Sequence, residues 1–474
     1  MSDPEVSSDH RNELPGGALG VVGIVVMSAV LMGPAISLFF NAPVMAGSAG
    51  AAVPLVFLVS MVGILFTAYS VAQYSAKVAS AGSFFGFVRQ AAGPRAGFLV
   101  GWCTFGAYLG AAMGGSIVTG AFLSSILEAH FGIAISYFWT TLLTLVVAVG
   151  LSIRGIKLSE RFSIVMLSIE VVAIVVVIGA IFLQGGADGF SAAPFDLGES
   201  SLSGIRLAMV FGVLSFAGFE ISASLAEETR NPLRSVPIAV LGCTLVIGLI
   251  YIVGSYGVVI GYGTDNVQAL ATDASSFDTL AKEFANPIRP LVDLILINSL
   301  LGAVIAIVNS FARVAFALGR EGLIPSAFGA TNQRFRTPHV ALLSIGVAGT
   351  LAAGLLAANG VDGLVGYSYV STPASLLLIL VFIMANTCLW RFYLRQYRGQ
   401  FSVLKHVVVP ALGSLVLLVP LVGQFYPKPP APLDTLPLYA AGWIVLGVVL
   451  LVLNRRRVDA IDAPFVTASE EVTS

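Results

Sequence analysis

Three acidic residues interrupt otherwise apolar sequence and are the first candidates for chemistry. Glu220 closes the stretch Ser215-Phe216-Ala217-Gly218-Phe219-Glu220, Glu170 lies in Leu167-Ser168-Ile169-Glu170-Val171-Val172, and Asp293 precedes Asn298 in a third apolar run. An ionisable group held among apolar residues is costly and marks a functional site by default. Burial favours the neutral form of a carboxylate, whereas a nearby cation favours the charged form. A carboxylate poised between the two can take a proton from one side of a barrier and release it on the other. Glu220 is the expected coupling site, with a carboxylate bonded to its own helix as the structural alternative. Glu170 is read as a second coupling candidate or as an interhelical hydrogen-bonding group, and Asp293 as interfacial. Glu227 and Glu228 are expected at a helix end, paired with Arg230 or Arg234.

Other chemistries find no support. The four histidines (His10, His130, His339, His406) fall at or near the ends of apolar runs, which leaves no histidine relay and no expected metal centre. Cys103, Cys243 and Cys388 are far apart and show no paired spacing. No Gly-Lys dipeptide occurs, so a Walker A phosphate loop is absent. No cofactor is expected, and the chain is not read as an enzyme.

The elements that position the acids follow from composition. Of 474 residues, 57% are hydrophobic and 10% charged, and the mean hydropathy is +0.93. Soluble domains carry about 25% charged residues, so an ordinary soluble enzyme is excluded. The net charge of −1 gives no basic face for nucleic acid. What remains is an all-α polytopic membrane protein with the lipid bilayer as its surroundings.

A helix needs about 20 apolar residues to cross the hydrocarbon core. Twelve such runs are expected, at roughly 18–45, 51–74, 96–127, 133–153, 162–184, 205–226, 236–261, 288–318, 339–358, 361–388, 404–425 and 436–453. They divide the chain into a tail at 1–17, a ten-helix core at 18–388, two further helices at 404–453 and a tail at 454–474. The start lacks the basic region of a cleaved signal peptide, so the first span is expected to persist. With this count, twenty Lys and Arg residues fall on one side and only Arg206, Lys282, Arg289 and Lys428 on the other. The positive-inside rule then places both termini in the cytoplasm, and the expected location is the plasma membrane.

Two of the runs carry breaks at comparable depth. Met32-Gly33-Pro34-Ala35 interrupts the first, and Gly218 with its small neighbours weakens the sixth. Proline has no amide donor and disfavours helix at the preceding residue. Irregular backbone at membrane depth is tolerated only where it lines a cavity or is buried in protein. Paired interruptions five helices apart are the mark of an inverted repeat, with 18–184 and 205–388 as its halves.

At this point the sequence resembles a known family. Phe216-Ala217-Gly218-Phe219-Glu220 followed by Ala226-Glu227-Glu228-Thr229-Arg230-Asn231-Pro232 is similar to the sixth-helix signature of amino acid–polyamine–organocation (APC) permeases. Arg313-Val314-Ala315-Phe316-Ala317-Leu318-Gly319-Arg320-Glu321-Gly322 with Arg336-Thr337-Pro338, and Ser80-Ala81-Gly82-Ser83-Phe84 with Gly101-Trp102, add two further matches in the right order. The resemblance implies a LeuT-like fold: a 5+5 inverted repeat plus two peripheral helices. It also implies alternating-access transport of amino acids or amines. By the same resemblance, the unwound parts of spans one and six hold the substrate's carboxylate and ammonium. That assigns Met32, Gly33, Pro34, Ala35, Ser215, Phe216, Ala217, Gly218 and Phe219 to the substrate, with Tyr108 as an aromatic candidate. Tyr367 and Tyr369 are further aromatic candidates. The family's Gly-Ser-Gly motif is replaced here by Met32-Gly33-Pro34-Ala35, and Leu214 stands where an arginine/agmatine exchanger carries a stacking Trp. A neutral amino acid with proton-coupled uptake is the expectation. Sodium coupling, an exchanger and a substrate-sensing receptor are the alternatives.

Overall fold

The computed structural model describes residues 14–196, 201–273, 275–426 and 433–460. Arg11, Lys428 and both chain ends lie outside them. The described chain is helical. In order it forms α1 (Val21–Met32), α2 (Pro34–Ile36), a π turn (Ser37–Asn41), α3 (Ala42–Ala49), α4 (Val53–Ser75), α5 (Phe84–Ala92), α6 (Pro94–Phe131), α7 (Tyr137–Ile153) and α8 (Ile156–Gln184). There follow α9 (Leu202–Leu214), α10 (Ile221–Ser224), α11 (Pro232–Tyr262), α12 (Val267–Thr272), α13 (Ser276–Phe284), α14 (Val292–Arg320), α15 (His339–Ala358) and α16 (Gly363–Gln396). A second π turn (Leu404–Val408) leads into α17 (Val409–Gly423), then α18 (Leu436–Leu453) and α19 (Arg455–Asp459).

Among the described residues, nine helical stretches are long and apolar enough to cross a membrane. The first of these, Val21–Ser75, runs for 55 residues and covers most of the first expected span and all of the second. Tyr137–Ile153 and Leu202–Leu214 are apolar but shorter. The shortness of α9 has a local cause, because the chain unwinds immediately after Leu214. The narrow division expected between 339–358 and 361–388 is a tight turn: Gly360 adopts φ +68°, and the Asp362 carboxylate caps α16 by accepting from the Leu364 amide at 2.8 Å.

The outer helices present apolar side chains to their surroundings. Val172, Val175, Leu351, Leu355, Val445 and Val452 are all exposed on α8, α15 and α18. A patch of this extent marks a membrane-facing surface. Inside, helices approach closely at several glycines. The clearest case joins α18 to α6. Trp102 and Trp443 stack at 4.6 Å, and each indole N–H donates to the other's backbone carbonyl, at 2.9 and 3.0 Å. Gly106 and Gly447 leave room for the rings: a Cβ at either would come within 2.5 Å of an indole atom.

The two ends of the bundle differ. At one, Arg320 chelates Glu227, Arg89 pairs with Glu321, and Arg95 pairs with Asp459. There too the chain start is tied in by a parallel bridge: Leu19 donates to Glu228 O and Arg230 donates to Leu19 O, both at 2.9 Å. At the other end His130 meets Asp293 at 2.6 Å, and Gln184 donates to the carbonyl of Phe284.

Candidate functional site

Both expected breaks form, and they meet. Gly33 sits between α1 and α2 at φ +56°, ψ +70°, a left-handed conformation that glycine adopts at little cost. Pro34 follows and has no amide to offer, so the first amide beyond the break belongs to Ala35. That amide donates to Oε1 of Glu170 on α8 at 2.5 Å. The same oxygen accepts from the Ser299 hydroxyl of α14 at 2.7 Å. Glu170, almost fully buried, thus joins three helices through one carboxylate oxygen.

The second break spans Ser215 to Glu220. Gly218 takes φ +124°, and its amide donates to Oε2 of Glu220 at 2.9 Å. Oε1 of Glu220 accepts from the Tyr108 hydroxyl of α6 at 3.2 Å. A Cβ added at Gly218 would lie 3.0 Å from Cβ of Leu31 and 3.2 Å from the amide nitrogen of Met32, so the two breaks pack backbone against backbone. Ser28 of α1 and Ser222 of α10 bond at 2.7 Å just beyond, holding those two segments together.

Tyr251, buried in α11, connects the two sides. Its hydroxyl lies 2.6 Å from the carbonyl of Met32 and 2.9 Å from that of Ser215, one freed carbonyl from each break. The Ser37 hydroxyl is 3.1 Å from both the Tyr251 oxygen and the Met32 carbonyl. Phe216 packs edge-on against the Tyr251 ring at 5.2 Å.

A family model described as amino acid permease matches residues 24–455. The chain belongs to the amino acid permease family. Among curated relatives, the low-affinity putrescine importer PlaP of Escherichia coli (strain K12) is 25% identical over 344 residues, covering 70% of this chain and 74% of the relative. The branched-chain amino acid permease BcaP of Bacillus subtilis is 24% identical over 354 residues, covering 71% and 74%. Cationic amino acid transporter 4 of Homo sapiens is 27% identical over 336 residues, covering 65% of this chain and 49% of the relative. The permease is a multi-pass membrane transporter rather than an enzyme, and its cargo is an amino acid or amine.

Of the residues singled out in the sequence of this permease, Met32, Gly33, Pro34, Ala35, Ser215, Phe216, Ala217, Gly218, Phe219 and Glu220 lie at the two breaks. Tyr108 and Glu170 reach them through hydrogen bonds. Tyr367 lies at the surface and Tyr369 is half-buried; no hydrogen bond described for either reaches a break. Asp293 is exposed at the helix end with His130. Asn298 donates to the carbonyl of Met166, a contact between helices.

The expected partners of Glu227 and Glu228 are corrected. Neither pairs with Arg230 or Arg234. Glu227 is held by Arg320 and by the Ala81 amide. Glu228 meets Arg313 of α14 at 2.5 Å, with both side chains 1% exposed. Arg313 falls inside the expected span 288–318 and lies within α14, where it donates onward to the carbonyl and Oδ1 of Asn309 at 2.6 and 3.1 Å. Arg230 instead donates to the carbonyl of Gly17. The reason is geometric: the chain turns through Asn231 at φ +48°, and Arg230 points toward the chain start.

A cavity of about 390 Å³ opens at the opposite end, lined by Phe39, Phe40, Phe122, Asp278, Arg289 and Asp293 among others, and reaching Ile36, one residue beyond Ala35. Phe39 and Phe277 stack at 4.0 Å at its wall, and Ser276 of α13 donates to the Phe39 carbonyl. Tyr251, Ser299, Ser28 and Ser222 were missed from sequence. The available signal was a hydroxyl in the middle of an apolar run, strongest for Tyr251 within 236–261.

Proposed function

We propose that this permease is a secondary active transporter. It takes up amino acids, with neutral side chains preferred, across the plasma membrane by alternating access, driven by protons. Its frame is twelve spans in a LeuT-like arrangement: two five-helix halves, 18–184 and 205–388, with α17 and α18 peripheral and both termini cytoplasmic. The observation that carries this reading is the meeting of the two broken helices, where Ala35, Gly218, Met32 and Ser215 turn backbone donors and acceptors toward one buried junction. Freed amides suit a carboxylate and freed carbonyls suit an ammonium. The twenty-to-four division of basic residues supports the sidedness. The absence of an aromatic stacking face at Leu214 supports a neutral side chain over a cationic one.

Glu220 is the proposed proton carrier, because it binds the Gly218 amide within the break itself. The test is uptake of a labelled amino acid panel, with putrescine included, into proteoliposomes with and without an imposed pH gradient. Uptake of neutral amino acids that rises with an inward proton gradient is expected. In Glu220→Gln, gradient-driven accumulation should be lost while substrate exchange continues. Competition by arginine or putrescine but not by alanine or leucine would refute the neutral preference. Undiminished accumulation by Glu220→Gln would remove Glu220 as the coupling site.

A further inference from the structure

Every backbone group named above at the two breaks already has a partner from the permease's own side chains. The Ala35 amide is bound by the Glu170 carboxylate, the Gly218 amide by the Glu220 carboxylate, and the Met32 and Ser215 carbonyls by the Tyr251 hydroxyl. They mirror the two ends of an amino acid zwitterion: carboxylates sit on the freed amides, and an O–H donor takes the ammonium's place at the freed carbonyls.

We infer that Glu170 and Tyr251 are stand-in ligands that let the permease close and reorient without cargo, so that it carries out net transport and is not bound to one-for-one exchange. The inference rests on the proposed transport function and on the junction being its substrate site. A carrier whose break is satisfied only by substrate leaves unpaired backbone groups when it closes empty. Buried groups of that kind carry a full desolvation penalty, so the empty form is held open and only exchange proceeds. Here the penalty is removed in advance. The Tyr251 hydroxyl has one hydrogen for two carbonyls, at 2.6 and 2.9 Å, and the Ser37 hydroxyl, 3.1 Å from the Met32 carbonyl, is the second donor, so each carbonyl can hold one neutral bond when the site is empty. An ammonium has three N–H donors and makes charge-assisted bonds to both carbonyls, which gives the cargo an advantage over its neutral stand-in. Ser299 keeps Glu170 within reach of Ala35, and it also gives the carboxylate a partner once the amide is ceded to a substrate.

The test uses the full chain in proteoliposomes without a pH gradient. Uptake of one transported labelled amino acid into empty vesicles, which reads net transport, is compared with uptake into vesicles preloaded with the same unlabelled amino acid, which reads exchange. Tyr251→Phe removes the hydroxyl and keeps the ring. Glu170→Met removes the acceptor and keeps an unbranched side chain, whereas Glu170→Gln keeps an acceptor oxygen for the Ala35 amide. The expected result is an exchange-to-net ratio at least tenfold higher in Tyr251→Phe and Glu170→Met than in the unmodified chain, with Glu170→Gln within about twofold of it. If one variant does not fold, the contrast between the other and Glu170→Gln carries the same decision. Net uptake and exchange falling in parallel, or an unchanged ratio in both variants, would overturn the inference. No uptake of any amino acid or amine by the unmodified chain in either kind of vesicle would overturn the transport reading beneath it.

Discussion

Arg313→Met removes the one cation that meets Glu228 inside the bundle. Glu228 is 1% exposed, its Oε2 receives the guanidinium at 2.5 Å, and its Oε1 has no hydrogen-bond partner among the described residues. Breaking a buried ion pair from one side costs about 3–5 kcal/mol, because the remaining charge is left buried without compensation. The companion change Glu228→Gln leaves the Arg313 charge buried with only neutral acceptors, among them its two bonds to Asn309, so a loss of the same order, about 3–5 kcal/mol, is expected. Removing both charges together should be far less damaging than adding the two losses, since buried pairs replaced by neutral groups are often close to neutral. The expected coupling is therefore about 2 kcal/mol or more, well above the error of a double-variant cycle. Melting of the purified permease in one detergent, measured for the parent, both single variants and the double variant, reads the cycle. A double variant at least as destabilised as the sum of the singles would refute the reasoning. It would mean that Arg313 and Glu228 act independently.

Three further outcomes are expected. Gly218→Ala places a Cβ 3.0 Å from Leu31 at φ +124°, and strain plus overpacking should destabilise by about 2–5 kcal/mol; Gly242→Ala, which has open space, should stay within about 0.5 kcal/mol, both read by melting in detergent. Cysteines placed in 185–203 and 263–287 should label from outside intact cells, and those in 326–336 and 392–402 should not; outside labelling of 392–402 would refute the sidedness. Burial pushes the Asp273 carboxyl up, but bonds from Thr279, Tyr262 and the Ser275 amide outweigh it and hold the carboxyl below its ordinary value. Its contribution to stability is therefore present above the ordinary carboxylate range and is lost as pH falls through the lowered value. Hydrogen exchange in α13 should accelerate only in strong acid, and Asp273→Asn should abolish that dependence.

The sequence made the breaks legible because they rest on local chemistry. Pro34 removes a donor, Gly33 and Gly218 permit conformations closed to other residues, and an acid in an apolar run announces itself. The partners of those groups were not legible. Tyr251 reaches Met32 across 219 positions and Glu170 reaches Ala35 across 135, and neither separation leaves a trace in periodicity. Helix rotation was also hidden, because runs that are apolar all round do not show which face turns inward. For the same reason the inward face of Arg313, about two turns before the end of α14, did not show, and Glu228 was paired with its neighbours along the chain.

The bridge between Leu19 and Thr229 also constrains how the permease is made. Leu19 leaves the ribosome early, and its partner follows about 210 residues later, which at 5–20 residues per second is a wait of about 10–40 s. Throughout that interval the Leu19 amide and carbonyl have no native mate, while α1 and the helices after it are already being inserted. The bridge is therefore among the late events of assembly, and it closes only after α10 has been placed. A nascent chain arrested before Thr229 should leave the backbone around Leu19 open to a protease, and release past that point should protect it.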